Sequence, residues 1–550
     1  MNKIKKIFIM ILSVILILSA FPINAAYANE ITTETKADYA VKKALIKTER
    51  LSNRLALGPM VSVSTYTELM AALETKTPNI YIMNNINLED TLQIDYNVSF
   101  LADNDGVTLF SASDKRHIII SSSDVQIQFN NTILDGGKEN GIKGGGIEAD
   151  NVQNITLINP YIQNCNQNKE GSAIYNCLGS YDENAYFYIY NGIIKNNYGK
   201  ATISILSNKM LIYNTIIENN TSPKSTSFGT ITLYGDDEDN TTSIYNSTIR
   251  NNSNSCGAGF NLEHTNLILN ENTVIENNTA SWGGGIYAQE SKIESYAKIN
   301  NNTSTKSGGG IWLFDSKFIM NNGEISYNKA QKDGGGISTN YYDNDDESVI
   351  INNGIIQGNL ALNGSAIGYD YMTNLYPDKL KVVVNDGLFC DNGFTFDENK
   401  GLSVICYEGG AIYGGNVVIN GGIFENNLCT NSGGAIYAQN LIMTDGIIQD
   451  NGYYQYDENN DFHTHSGGGI YVYTNAEING GLIYSNQAVD GAGITAYGTL
   501  SIAAPAYIRY NTAENSGGGV YFFGQNSIKV VDFSRIKNNT APHGAQYYIK

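Results

Sequence analysis

A short block of the form G-G-G/A-I-aromatic recurs along this chain, and few folds can be built from such a block. It reads Gly283-Gly284-Gly285-Ile286-Tyr287, Gly308-Gly309-Gly310-Ile311-Trp312 and Gly433-Gly434-Ala435-Ile436-Tyr437. With the apolar residue as marker, the series is Ile147, Ile174, Ile203, Ile231, Phe260, Ile286, Ile311, Ile337, Ile367, Ile412, Ile436, Ile470, Ile494 and Val520, mostly 24–30 residues apart. A second block, apolar-x-x-Asn, falls between the markers. It ends at Asn197, Asn220, Asn252, Asn278, Asn302, Asn328, Asn359, Asn392, Asn427, Asn451, Asn486, Asn511 and Asn539, each with Ile or Phe three residues earlier. Each repeat holds two or three short runs with period-two alternation, and none holds a helix-length amphipathic stretch. Helical solenoids are thereby excluded, and a propeller blade needs about 40–50 residues with longer strands. Strands this short bury a face only when stacked as coils that satisfy each other's backbone groups. The repeat therefore predicts an all-β parallel β-solenoid, about 17 coils at about 4.8 Å each, or roughly 80 Å.

Glycine has a reason to recur here. A coil turns sharply between strands, and glycine tolerates positive φ and close backbone approach at such corners. Asparagine also fits a corner: it adopts the left-handed conformation better than most residues, and stacked amides can bond from coil to coil. Beside the inward Ile, successive coils carry Lys195, Glu218, Arg250 and Glu276. Alternating signs on neighbouring strands mark that position as solvent-facing, each pair contributing about 0.2–1 kcal/mol.

The regular repeats cover 140–550. Before them, 78–139 reads as less regular first coils, with strands at Ile80–Met83, Thr91–Ile94, Val98–Leu101, Val107–Phe110, His117–Ile120 and Val125–Phe129. Residues 29–77 read as a helical segment. In it Thr65 and Glu68 form a capping box ahead of Leu69, Met70 and Leu73, and the helix is expected to cover the open end of the solenoid. Lys3, Lys5 and Lys6, the apolar run Ile7–Ala20 and Ala26-Tyr27-Ala28 read as a secretory signal peptide over 1–28. The expected location is extracellular or cell-surface, with no membrane-spanning segment in the mature chain.

The net charge of −20 argues against nucleic acid and anionic membrane as partners, since phosphate binding needs a basic face. Six cysteines in 550 residues are too few for a disulfide framework. Their spacing leaves local bridges and free thiols both open.

The two blocks together resemble the repeats of the chlamydial polymorphic outer membrane proteins, which alternate a G-G-A-(I/L/V) tetrad with an F-x-x-N tetrad. Gly409-Gly410-Ala411-Ile412 and Gly433-Gly434-Ala435-Ile436 match the first. Phe389 to Asn392 and Phe424 to Asn427 match the second, with Ile replacing Phe elsewhere. The resemblance covers roughly 140–550. It implies a single-stranded right-handed parallel β-helix of the pectate-lyase-like kind, and surface autotransporters or adhesins as relatives. That family carries a C-terminal membrane barrel. None is legible here, so outer-membrane anchoring is not carried over.

Chemistry is harder to find. Arg116, Arg250, Arg509 and Arg535 are the only arginines in the expected solenoid, and they read as solvated strand residues. Arg535-Ile536-Lys537 matches a polygalacturonase string, but it is in phase with the repeat, and the companion Asn-Thr-Asp and Gly-His-Gly strings do not occur. The acidic stretches Asp236 to Asp239, Asp343 to Glu347 and Asp457 to Asp461 offer oxygen ligands for calcium but fit no calcium-loop pattern, so no cofactor is assigned. His463 and His465 have a strand spacing that suits a transition metal, without a further ligand. The best lead is aromatic. After the marker come Tyr175, Tyr287, Trp312, Tyr413, Tyr437, Tyr471 and Tyr521. If Ile points in, these point out, as a column of exposed rings for sugar faces or a protein partner. The predicted function is non-catalytic binding, adhesin-like or glycan-contacting, to a host or cell-surface glycan or protein. The alternative is an extracellular polysaccharide lyase or glycoside hydrolase, with a charged cleft near 369–380 and 453–463.

Overall fold

The computed structural model describes residues 58–550 except 139–140, 168–169, 180–183, 224–227, 236–239, 341–348, 370–380, 398–400 and 458–459. The signal peptide, the helical reading of 30–57, the first two acidic stretches and the insertion at 370–380 lie outside the described residues. The chain divides into two units, Met1–Pro59 and Met60–Lys550, and the second holds the repeats.

Each coil carries three short runs, such as Ile286–Gln289, Lys292–Ser295 and Lys298–Asn300. The next coil repeats them in parallel register at Ile311–Phe314, Lys317–Met320 and Glu324–Ser326. This is the all-β parallel β-solenoid that the repeat predicts, with about 16 turns. The markers from Ile147 to Val520 pair one on the next without a break. All of them are fully buried. Alternation along each run puts the marker and every second residue into one continuous apolar core. The early strands fall within a residue or two of their expected places, from Asn79–Ile82 to Gln126–Asn130.

The helix α1, Tyr66–Glu74, has the capping box read from Thr65 and Glu68. The Glu68 amide donates to Thr65 Oγ1 at 3.3 Å, and the Thr65 amide donates to Glu68 Oε2 at 3.2 Å. Its Leu69, Ala72 and Leu73 join the core.

Of the two roles expected of the recurring Asn, the coil-to-coil amide bonding is present and the left-handed conformation is not. The recurring Asn is not the left-handed residue. The residue before it is: Asn196, Asn219, Asn251, Asn277 and Asn301 have φ of 54–58°. That turn swings the next side chain inward, and the buried amides stack. Asn328 Oδ1 accepts from both the amide and the Nδ2 of Asn302, at 3.0 and 3.0 Å. Asn328 Nδ2 donates to the Ile299 carbonyl at 2.8 Å and to Asn359 Oδ1 at 3.1 Å. The same pattern runs from Asn197 to Asn539. At the last rung Gln546 Oε1 takes the acceptor's place, receiving the Asn539 amide and Nδ2 at 3.3 and 3.1 Å. The glycines fulfil the corner role. Gly308 has φ +69°, and a Cβ on Gly309 would lie 2.3 Å from the Gly335 carbonyl oxygen of the next coil.

On the third run, Lys195, Glu218, Arg250 and Glu276 stand in register, and Arg250 Nε meets Glu218 Oε2 at 2.8 Å. In most coils a two-residue corner separates the first and second runs, as Glu290-Ser291 and Asp315-Ser316 do. In the segments Ile412–Ile419 and Ile436–Met443 that corner is missing, and the two runs fuse into eight-residue strands. Ile470–Ile478 is fused as well, through a register shift. These are the longest strands of the described residues.

Replacing Asn328 by Ala leaves two buried donors of Asn302 without an acceptor. At about 1–3 kcal/mol for each unsatisfied group, the coils on either side should loosen by about 3 kcal/mol or more, above the roughly 1 kcal/mol of a single bond. Native-state hydrogen exchange reads this coil by coil, which suits an array that need not unfold in one step. Asn301→Gly, at the left-handed position, should leave exchange nearly unchanged.

Candidate functional site

The residue after each marker faces away from the core, and coil stacking brings the predicted rings onto one another. Tyr287 and Trp312 lie 4.8 Å apart at 20°. Tyr413 meets Tyr437 at 4.9 Å, and Tyr437 meets Tyr471 at 5.2 Å and 8°. Tyr521 stacks on Tyr548 at 5.5 Å. Ser338 and Thr495 interrupt the column, and Tyr175 stands apart over the Arg116 guanidinium at 5.8 Å.

The column is less exposed than expected. Trp312 and Tyr521 are each only 6% exposed, and Tyr175, Tyr287, Tyr413, Tyr437 and Tyr471 are half-buried. The reason is geometric. Rings repeated at the coil spacing lie face to face, so within each run of rings the facing sides are taken by neighbours. Solvent meets mainly ring edges within these runs.

A second row was not foreseen from the sequence. Tyr473 and Tyr497 are about half exposed, at 48% and 49%, and stack 5.1 Å apart and nearly parallel at 2°. Phe523 tilts against Tyr497 at 5.1 Å, under Lys550 Nζ. These rings stand two residues beyond the first row. The same spacing in Tyr471/Tyr473 and Tyr521/Phe523 was the available signal. Beside the first row on the fused strands runs a row of amides, with Asn440 Nδ2 donating to Asn416 Oδ1 at 3.0 Å and Asn475 Nδ2 to Asn440 Oδ1 at 3.3 Å. Around Trp312 the rings form a smaller cluster, with Trp282 at 5.2 Å and Lys306 Nζ 4.6 Å over Trp282.

Burial dominates the electrostatics of this flank. Desolvation pushes the Tyr287 and Tyr471 phenols up to about 12 and the Tyr437 phenol higher still. Glu408, whose charge acts on Tyr437 and Tyr471, is itself raised by burial.

Charged groups gather elsewhere. Arg116, read from the sequence as solvated, is buried at 6% exposure. Its Nε meets Glu148 Oε2 at 2.7 Å, and its Nη1 and Nη2 donate to the carbonyls of Gly171 and Glu170 at 2.6 and 3.0 Å. With Tyr175 and Lys200 these residues line a cleft of about 390 Å³. The cleft lies far along the chain from the insertions where one was expected. Of those, 453–457 and 460–466 form an antiparallel hairpin. There His463 Nε2 faces Glu514 Oε1 at 3.3 Å. Among the described residues no three His, Cys, Asp or Glu side chains are placed to share a metal. No disulfide joins any of the six cysteines, and no helix among the described residues is long and apolar enough to cross a membrane.

Residues 272–289 and 421–439 match the Chlamydia polymorphic membrane protein (Chlamydia_PMP) repeat. Each match takes in the third run of a coil, its Asn corner, and the following glycine corner and first run. No curated protein and no solved structure matches the chain.

The buried phenols make a pH prediction. The folded state holds these protons to about 12, against 10.0 for an ordinary phenol. Deprotonation therefore favours the unfolded chain. This contribution to stability should be constant below pH 10.0 and be lost as pH rises through about 12. Ultraviolet phenolate titration should show a late-ionising set, and replacing Tyr471 by Phe should shrink it.

Proposed function

We propose that this protein is a secreted or cell-surface β-solenoid that acts by binding, through the aromatic flank of its C-terminal half, to a glycan or protein on another surface. The observation that carries this reading is the double row of rings. Tyr473 and Tyr497 hold large apolar rings half in water, where the single-chain fold gains little from them. The leader-like first 28 residues and the two matches to a surface-protein repeat support an extracellular location. The strongly acidic composition supports a partner other than nucleic acid.

A polysaccharide lyase or glycoside hydrolase is the second reading, and the cleft under Tyr175 is what favours it. The arginine there already commits Nε, Nη1 and Nη2 within the protein. It clasps a loop, which leaves Glu148, Glu170 and Lys200 to do any chemistry.

The Tyr473→Ala, Tyr497→Ala double variant should keep its far-ultraviolet circular dichroism and lose most of its binding to intact cells or their isolated surface glycans. Full binding by a folded double variant would overturn the flank assignment. Release of new chain ends from acidic polysaccharides, abolished by Glu148→Gln, would favour the second reading.

A further inference from the structure

The corner between the second and third runs changes length along the N-terminal coils. In one coil it is long, 102–106, between Val98–Leu101 and Val107–Phe110. In the three coils that follow it shortens to Asn131, to Asn159-Pro160 and to Asn191-Gly192. Where long meets short the surface holds a groove of about 570 Å³, larger than the cleft under Tyr175. That volume lies within the roughly 300–1,000 Å³ of small-molecule sites. Its lining runs from Asn104 to Ile193, over coil steps that add up to about 14 Å.

The lining has two characters. Ile133, Tyr161 and Ile193 stand in register on the third run, half-buried, and make an apolar strip. Beside it runs a row of corner amides. Asn159 Nδ2 donates to Asn130 Oδ1 at 3.1 Å, and Asn191 Nδ2 to Asn159 Oδ1 at 3.2 Å. Each of these two nitrogens carries a second N–H. Asn130 Nδ2 and the side chains of Asn104 and Asp105 bond to nothing among the described residues. The groove therefore sets donors and acceptors alongside an apolar strip.

That chemistry works against several ligands. No Lys, Arg or His lines the groove, so a phosphate meets no counter-charge. The third-run strands here pair with a coil on either side, so no open edge takes up a peptide as an added strand. A hydrocarbon chain would cover the partnerless amides without bonding to them. A sugar matches both characters. Its C–H face packs on aliphatic and aromatic side chains, and its hydroxyls bond to amides.

We infer that this groove is a saccharide site, long enough at roughly 14 Å for about two or three sugar units. It lies on the N-terminal coils, far along the solenoid from Tyr473 and Tyr497, and stands independently of the binding function proposed for those rings.

The test is isothermal titration of the full chain with cellotriose, chitotriose, maltotriose and laminaritriose. At least one should bind with a Kd of about 1 mM or tighter. Ile193→Glu puts a charge on the apolar strip at a position the fold accepts, since Glu324 occupies it further along the same column. It should weaken that binding about tenfold or more. Asn104→Ala removes no bond within the protein and should weaken it about fivefold. Tyr473→Ala, Tyr497→Ala should leave it unchanged. The inference is overturned if none of the four trisaccharides binds, or if Ile193→Glu, with its circular dichroism intact, binds as the unmodified chain does. If Ile193→Glu does not fold, full binding by Asn104→Ala decides against the groove. Trisaccharide binding lost only with the two tyrosines also overturns it and moves the sugar to the C-terminal flank. Attachment to cells is read on the same variants: its loss with the two tyrosines alone leaves the flank's function standing whatever the groove does.

Discussion

Everything in this fold depends on coils meeting at one fixed distance, which backbone pairing sets and the buried amide row reinforces from Asn197 onward. Backbone pairing alone would hold the strands side by side. The asparagines add, at a single corner, a side chain that accepts two donors from one neighbouring coil and donates to the next. An interior position with that many partners has no equivalent substitute, because removing the side chain strands donors that water cannot reach. The rest comes from the repeat distance. Markers stack on markers, the outward charges alternate, and the aromatic rings come into contact because they have nowhere else to go.

Much of the fold was legible because its signal repeats. A marker such as Ile311 is weak taken singly, but a whole series in phase fixes the register of every coil, and the structure pairs those residues one with the next. The capping box at Thr65 was legible for the opposite reason: it is local, and needs no knowledge of the rest. The asparagine corner was misread for a physical reason. Residue type at Asn302 was compatible with a left-handed turn, but so was Asn301, and only the folded backbone shows which of two adjacent amides takes the turn and which takes the interior. Propensity identified the pair and left its order open.

The candidate site was legible in position and misjudged in character. Tyr437 and Tyr471 were found by alternation, which says whether a side chain leaves the core. Alternation says nothing of what the side chain meets afterwards. Ring-on-ring stacking is a relation between coils, and it converted an expected row of faces into a row of edges. Arg116 shows the same limit. It sits two residues before a buried Ile, where alternation turns a side chain toward the interior, and its burial depends on carbonyls at Glu170 and Gly171 more than fifty residues away. The fusion of Ile412–Ile419 leaves a trace in the short step of 24 between Ile412 and Ile436, but that of Ile436–Met443 leaves none, because its step of 34 also carries the hairpin of 453–457 and 460–466.

The amide row also has a direction. Every Nδ2 from Asn197 onward points to the oxygen of the following coil, so the bond dipoles add head to tail, and each bond polarises the next. The solenoid is thus electrically polar from end to end, although its sheets have little dipole of their own. Gln546 closes one terminus of this wire by offering an oxygen in the same sense. Splicing two such solenoids into one would preserve the wire only in tandem, tail onto head. A mirror-wise joint would set oxygen against oxygen at the seam, so the polarity of the inner amides dictates the orientation of any longer array assembled from these coils.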